Sequence, residues 1–329
     1  MKYLLIGGAG YIGSNVANLL LKNKQNELLI YDDLSTGKKT PLLNKVKFIK
    51  GSQCSYKQLS ESVKKFKPDV IMHFAAKIIV SESVYQPLEY YENNVGGMIN
   101  ILRVMKENKI KNLIFSSTAA TYGTPKKIPI NETDPTDPIN PYGSSKLACE
   151  YLIKAAETAY GIKAVILRYF NVAGASDDFK LGIFNEQTTL LIPRIIMAHL
   201  DNKVFNIYGD KYRETKDGTC IRDFIHVVDL AEAHLLAAKY LTNKKNEKTI
   251  TVNLGTNKGY SVKECLSTAE AIIKAKIKVK VAPARAGDPA MLLTKNNLAK
   301  KLLNWTPKKS LHDMIESEYR FRLNQRKQK

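Results

Sequence analysis

The sequence predicts an α/β protein: a doubly wound parallel sheet with a smaller C-terminal α/β domain. Three observations carry this. Short apolar runs alternate with amphipathic stretches through the first half of the chain, as strands do when crossover helices cover both faces of their sheet. A glycine-rich turn directly follows the first apolar run. After about Val172 the alternation gives way to irregular sequence rich in polar loops.

In chain order, strands are expected at residues 2–6, 27–31, 46–50, 70–74, 112–116 and 164–169. Helices are expected between most of them, for example at 11–21 and 94–108. In the first of these, Val16, Leu19 and Leu20 lie three or four apart, the spacing of a packed helix face. Residues 225–239 again read as helix and 249–254 as strand. The boundary is therefore expected to be discontinuous, with a first domain over 1–172, a second over 173–329, and 221–255 returning to the first.

Bulk properties bound the function. The chain has 329 residues, 44% hydrophobic and 25% charged, an ordinary globular composition. No apolar run approaches the ~20 residues of a membrane span, and the apolar start breaks into glycine after Ile6, so it reads as a strand rather than a signal peptide. Four cysteines and five histidines are scattered, with no CxxC pair. That pattern argues against a metal site or a disulfide framework and fits a reducing cytoplasm. The net charge is +20. The lysines are spread along the chain without an Arg stripe interleaved with aromatics, so no nucleic-acid partner is expected. A positive field also attracts a small anion such as a nucleotide diphosphate.

The turn is Gly7-Gly8-Ala9-Gly10-Tyr11-Ile12-Gly13, between the first strand and the first helix. Gly7, Gly10 and Gly13 allow a tight turn and close backbone approach to a pyrophosphate, while the helix N-terminus offers free N–H groups and partial positive charge. Asp32 stands nineteen residues after Gly13, at the end of the second strand, where an acid would meet the ribose hydroxyls. Asp33 adds a second carboxylate. Carboxylates repel a 2′-phosphate, so the cofactor expected is NAD of a Rossmann-type site.

Four Tyr-x-x-x-Lys pairs occur, but only Tyr142/Lys146 opens an amphipathic helix, with Pro141 before it. Positions i and i+4 share a helix face. The Lys146 ammonium is expected to draw the Tyr142 phenol from ~10 toward neutrality, making it a base for a sugar hydroxyl. Thr118, at the end of the preceding strand, is placed to hydrogen-bond the reacting oxygen.

Together these motifs resemble the extended branch of the short-chain dehydrogenase/reductase superfamily and, within it, the UDP-glucose 4-epimerase family. The likeness runs from Met1 to about Trp305. It rests on segments 7–15, 73–76, 87–94, 116–123, 141–146, 168–171, 217–229, 282–288 and 303–305. The resemblance implies that Tyr142 is the base, Lys146 its partner and Thr118 an assistant. It implies an NAD pocket lined by Tyr11, Ile12, Asp32, Asp33, Phe74, Ala75, Ala76, Asn93 and Phe170. It places UDP against Asn171, Leu191, Tyr208, Arg222, Arg285 and Asp288, and a guanidinium fork does suit a diphosphate. Epimerisation would run through a transient 4-keto sugar, with NAD retained throughout. A homodimer and a place in galactose metabolism follow from the same likeness.

The chain also departs from the pattern. Ser52-Gln53 replaces an Asp-hydrophobe pair that contacts adenine, Ile78 stands where some members have a lysine, and Leu190 replaces a polar residue. Ala119-Ala120 follow Thr118 where related dehydratases carry an Asp-Glu pair. The rival readings are a related sugar-nucleotide dehydratase or decarboxylase, and a nucleic-acid-binding module. A position that walls the hexose pocket is a bulky Tyr in members that exclude N-acetylated sugars. Here it is Leu292, so both the plain and the N-acetyl UDP-hexose pairs are expected as substrates.

Overall fold

The computed structural model describes residues 1–246, 248–285 and 289–327. Seven strands form the main sheet: β1 (Lys2–Ile6), β2 (Glu27–Asp32), β3 (Lys47–Lys50), β4 (Val70–His73), β5 (Asn112–Thr118), β6 (Lys163–Tyr169) and, later in the chain, β10 (Ile250–Leu254). All pair in parallel, in the order β10-β6-β5-β4-β1-β2-β3. Chain order reverses between β1 and β4, which makes the crevice beyond their C-terminal ends the expected ligand site.

Strands buried on both faces are apolar at nearly every position, and alternation divides them cleanly. Leu5, Ile30, Met72, Ile114, Val165 and Val252 face one layer. It consists of α1 (Tyr11–Leu20), α8 (Val227–Thr242) and α10 (Asn297–Leu303). Leu4, Leu29, Ile71, Leu113, Phe115 and Ile166 face the other. That layer holds α2 (Tyr56–Phe66), α5 (Gly97–Glu107) and α6 (Pro141–Tyr160), with the short helices α3 (Val80–Tyr85) and α4 (Pro87–Tyr90) beside them. Each fully buried aliphatic side chain contributes about 1.5–3 kcal/mol.

The second layer system is smaller. β9 (Ile221–His226) pairs in parallel with β7 (Asn171–Ala173) and β13 (Met291–Leu292), and antiparallel with β11 (Gly259–Ser261). β8 (Phe205–Tyr208) pairs with β12 (Val279–Ala282). A third apolar core joins α7 (Leu191–Leu200), α9 (Val262–Ile273) and α11 (Leu311–Lys327) through Ile195, Ile196, Cys265, Met314 and Ile315. Among the described residues, no helix is long and apolar enough to cross a membrane.

Two expected elements differ. The helix expected from residue 225 begins at Val227, because Ile225 and His226 still pair with β7 and the His226 ring caps the helix by accepting the Val228 N–H at 3.1 Å. Thus α8 and β10 lie on the main sheet, whereas residues 221–226 belong to the smaller one. The helix expected at 94–108 opens as a π-helical turn, Tyr91–Gly96. There Asn94 is turned inward, where its amide bonds the Lys77 backbone and the Ser145 hydroxyl. A π turn inside a helix commonly marks a functional site.

Candidate active site

The glycine turn is shaped by contact. Gly7 has φ +81°, and a Cβ there would stand 2.4 Å from the Ala75 nitrogen. A Cβ on Gly13 would stand 2.5 Å from the Gly7 carbonyl oxygen. α1 starts at Tyr11 behind Gly10, with no side-chain cap and no acid in its first turn, so its leading N–H groups are left to an anion. This cradle fits a dinucleotide pyrophosphate.

Asp32 is buried and grips the cradle, accepting the Ala9 N–H at 2.9 Å and the Leu34 N–H at 2.8 Å. Burial raises its carboxyl, and those two bonds work against the rise. Asp33 is exposed and turns to Ser35. The Tyr11 phenol crosses to the Gly174 carbonyl at 2.5 Å, tying the cradle to the chain beyond β7. Ile12 is half-buried against the first core. Phe74 and Ala75 donate their N–H groups to the Ile6 carbonyl, so the segment with Ala76 lies beside Gly7. The Asn93 side chain bonds Asn94. Gln53, at the departure from the family pattern, is buried and bonds both His73 and the Asn93 carbonyl.

α6 brings Tyr142 and Lys146 to the same end of the sheet. Asn140 caps it by accepting the Gly143 N–H at 2.9 Å. Gly143 lets the helix press on the turn after β5, since a Cβ there would stand 2.6 Å from the Ala120 carbonyl oxygen. Lys146 is 3% exposed and donates to the Ser116 carbonyl at 2.8 Å. Its ammonium lies 4.8 Å over the Phe115 ring. Thr118 ends β5 and accepts the Ala120 N–H at 3.1 Å, with its hydroxyl beside the Tyr142 phenol.

One expectation is corrected. Among the chain's own groups, Lys146 does not draw Tyr142 toward neutrality. Burial raises the phenol, and the neighbouring Thr118 hydroxyl offsets part of the rise. The ammonium docks on the Ser116 carbonyl, and burial pushes Lys146 itself down to about 8.

The residues expected at UDP fall into two groups, one around β8 and one around β9 and β13. Arg285 lies 4.2 Å over the Tyr208 ring. Burial would push the Tyr208 phenol up, but the neighbouring Arg285 and Arg194 guanidinium groups outweigh it and hold the phenol below its usual value. Arg194 was not expected, yet it stands three residues after Leu191 on the same face of α7; that spacing was the available signal. Arg222 bonds the Ile221 carbonyl and stands opposite Leu292 in the β9–β13 register. Asn171 donates to the Asp223 carbonyl at 2.9 Å. Leu191 packs on the third core. Leu292 and Phe170 meet in a small cluster with Ala119, Tyr122 and Ile130. Asp288 lies outside the described residues.

A sequence model of the NAD dependent epimerase/dehydratase family matches residues 3–255. The chain belongs to that family. Among its relatives, the UDP-glucose 4-epimerase of Lactobacillus helveticus is 44% identical over 324 residues, covering 98% of this chain and 97% of the relative. The crystal structure of UDP-glucose 4-epimerase from Bifidobacterium longum in complex with NAD+ and UDP superposes with a TM-score of 0.91 at 34% identity, covering 98% of each chain. The UDP-Glc/GlcNAc 4-epimerase from Campylobacter jejuni gives a TM-score of 0.85 at 40% identity, covering 98% of this chain and 99% of that one. Both family and fold thus agree with the parallel sheet and the glycine cradle described above.

Proposed function

We propose that the chain is an NAD-dependent 4-epimerase of UDP-hexoses, interconverting UDP-glucose and UDP-galactose and also their N-acetyl counterparts. The carrying observation is Tyr142 beside the Thr118 hydroxyl and one helical turn from a buried Lys146, at the same end of the sheet as the Gly7–Gly13 cradle. The curated relatives of this length support the same reaction.

NAD, when bound, supplies hydride acceptance and return at C4. The rest is done by the chain. Gly7, Gly10 and Gly13 with Tyr11 and Ile12 hold the pyrophosphate, Asp32 and Asp33 the ribose, and Phe74, Ala75, Ala76, Asn93 and Phe170 the remaining walls. Asn171, Leu191, Tyr208, Arg222, Arg285 and Asp288 hold UDP, with Arg194 as a further cation beside them. Tyr142 Oη takes the 4-hydroxyl proton and returns it once the 4-keto sugar presents its other face. Thr118 Oγ1 orients that proton, and Lys146 keeps its buried ammonium on the Ser116 carbonyl, one helical turn from Tyr142. A dehydration would need acids after Thr118, and Ala119-Ala120 supply none. Residues 1–170 together with 227–255 and α10 form the cofactor half, and the remainder the UDP-sugar half.

Leu292 and the Campylobacter jejuni relative support the N-acetyl reading. Exposed Val84, Tyr85, Leu88 and Tyr151 lie on α3, α4 and α6, which pack on one another; this apolar face supports a homodimer. The free cysteines fit the cytoplasm, and the reaction fits galactose metabolism. The test is product analysis from each UDP-hexose, together with extraction of NAD from the denatured protein. Protein that neither carries nor binds NAD, or that leaves UDP-glucose and UDP-galactose unchanged, overturns the proposal.

A further inference from the structure

Lys146 sits where its charge is disfavoured. Burial pushes the ammonium down to about 8, against the pull of Cys149 and Glu150. Cys149 is pushed up to about 12, first by burial, so near pH 7 it is a neutral thiol, and it donates to the Asn94 carbonyl at 3.3 Å. From β4, His73 is pushed down to about 3 by burial and then by Lys146, so it is neutral. From α6 and β6, the Tyr142 and Tyr169 phenols are both raised by burial. Ser116 and Phe115 of β5 contribute a carbonyl and a ring face. Arg168 of β6 brings a second cation. The anion left to favour Lys146 is Glu150.

Glu150 lies four residues beyond Lys146 and eight beyond Tyr142, so the three follow one face of α6. It is 0% exposed. Arg168 donates to it from both Nε, at 2.9 Å, and Nη2, the bidentate arrangement that makes a buried pair tenable. The Ser117 hydroxyl donates to it as well. Ser117 adjoins Ser116, whose carbonyl receives Lys146. The Arg168 guanidinium lies 4.8 Å over the Tyr122 ring, and the Tyr122 phenol bonds Asn253 at 2.7 Å. Glu150 is thereby fixed from β5 and β6 at once.

We infer that Glu150 is a positioning residue: clamped by Arg168 and Ser117, its carboxylate keeps the Lys146 ammonium charged and seated on the Ser116 carbonyl, one helical turn from Tyr142. This rests on the proposed role of Lys146 as the partner of Tyr142.

Glu150→Gln in the full chain tests it by two measurements. One is the titration of Lys146 in protein carrying ¹³C at the lysine ε-carbons, with the signal assigned from Lys146→Met. The other is the pH dependence of kcat. An opposite charge a few ångströms away is worth about 1–3 pH units. The Lys146 midpoint is expected to fall by about 1–2 units, and the alkaline limb of kcat to move down with it while KM changes little. If Glu150→Gln does not fold, Glu150→Leu/Arg168→Met replaces both buried charges, a swap that proteins often tolerate. A smaller downward shift is expected there, since the opposing charge of Arg168 leaves together with that of Glu150. An unmoved midpoint, with only the melting temperature lowered, overturns the inference and leaves Glu150 as a tie between helix and sheet. The lysine titration needs no turnover, so it stands apart from a failure of the protein to epimerise UDP-hexoses.

Discussion

Gln53 Oε1 lies 2.6 Å from His73 Nε2, while Gln53 Nε2 donates to the Asn93 carbonyl at 2.9 Å. The second bond fixes which way the amide points. The first therefore runs from a protonated His73 Nε2 to the amide oxygen. Gly97 makes room for this, since a Cβ there would stand 2.4 Å from the Gln53 amide carbon. His73 directly precedes Phe74, and Asn93 sits in the π turn, so one buried side chain braces two walls of the proposed NAD pocket.

Gln53→Leu should therefore loosen NAD. It strands the His73 N–H and the Asn93 carbonyl in the interior, at about 1–3 kcal/mol for each unsatisfied group. The expected outcome is a lower melting temperature together with less NAD per protomer after purification and a larger Kd by calorimetry. A variant that melts earlier but retains NAD like the wild type would confine Gln53 to folding.

Tyr142→Phe should lower turnover by about 10²–10⁴-fold, the usual worth of a positioned acid–base group, with fold and UDP binding retained. Tyr122→Phe removes a buried hydroxyl that bonds Asn253 and should act mainly on stability. Steady-state kinetics and melting curves of the two variants separate these roles. Equal activity of both variants would refute Tyr142 as the base.

How much of this was legible in the sequence depends on how local its cause is. The first six apolar runs place β1 to β6 within two residues of their ends, because burial on both faces leaves a continuous apolar signature. The cradle was legible because Gly7, Gly10 and Gly13 act within one turn. The start of α8 was not, since it depends on the pairing of Ile225 and His226 with β7. The Glu150 clamp, the inward turn of Gln53 and the approach of Arg194 to Tyr208 arise between residues far apart in the chain. The Tyr142 shift was misjudged for a related reason. Helical spacing puts Lys146 on the same face, but only the fold shows that its ammonium donates to the Ser116 carbonyl.

Mild acid should destabilise the protein through its buried histidines. Burial pushes His73 down to about 3, and His226 and His234 to about 4. Unfolded, each titrates near 6.5. As pH falls below about 6.5 the unfolded chain takes these protons first, and stability drops by about 1.4 kcal/mol per pH unit for each proton. Asp223 works the other way from about pH 6 downward, because burial raises its carboxyl to about 6 in the folded protein. Asp32, Asp229, Glu132 and Glu318, all raised by burial, act in the same sense as Asp223. The clearest window is therefore about pH 6.5 to 5.5. Urea midpoints should fall across it in the wild type and fall less in His234→Gln. A midpoint that is flat or rises on acidification in the wild type contradicts the prediction.

Leu292 is where sugar selectivity is to be tested. It stands opposite Arg222 on β9 and packs with Ala119 and Phe170. Ala119 directly follows Thr118, and Phe170 directly precedes Asn171, so Leu292 touches neighbours of both the proposed catalytic and the proposed UDP-binding residues. A leucine leaves more room than a tyrosine for an acetamido group and has no hydroxyl to strand. Pocket contacts of this kind are worth about 1–3 kcal/mol, or roughly 10–200-fold in discrimination. Leu292→Tyr should therefore depress kcat/KM for UDP-N-acetylglucosamine and UDP-N-acetylgalactosamine by about tenfold or more, while sparing UDP-glucose and UDP-galactose. Measuring all four substrates on wild type and variant decides. The prediction fails if the wild type turns over no N-acetylated sugar, or if the variant loses both pairs to the same extent, because Leu292 would then serve the packing of Tyr122, Ile130 and Phe170 rather than the wall of the hexose site.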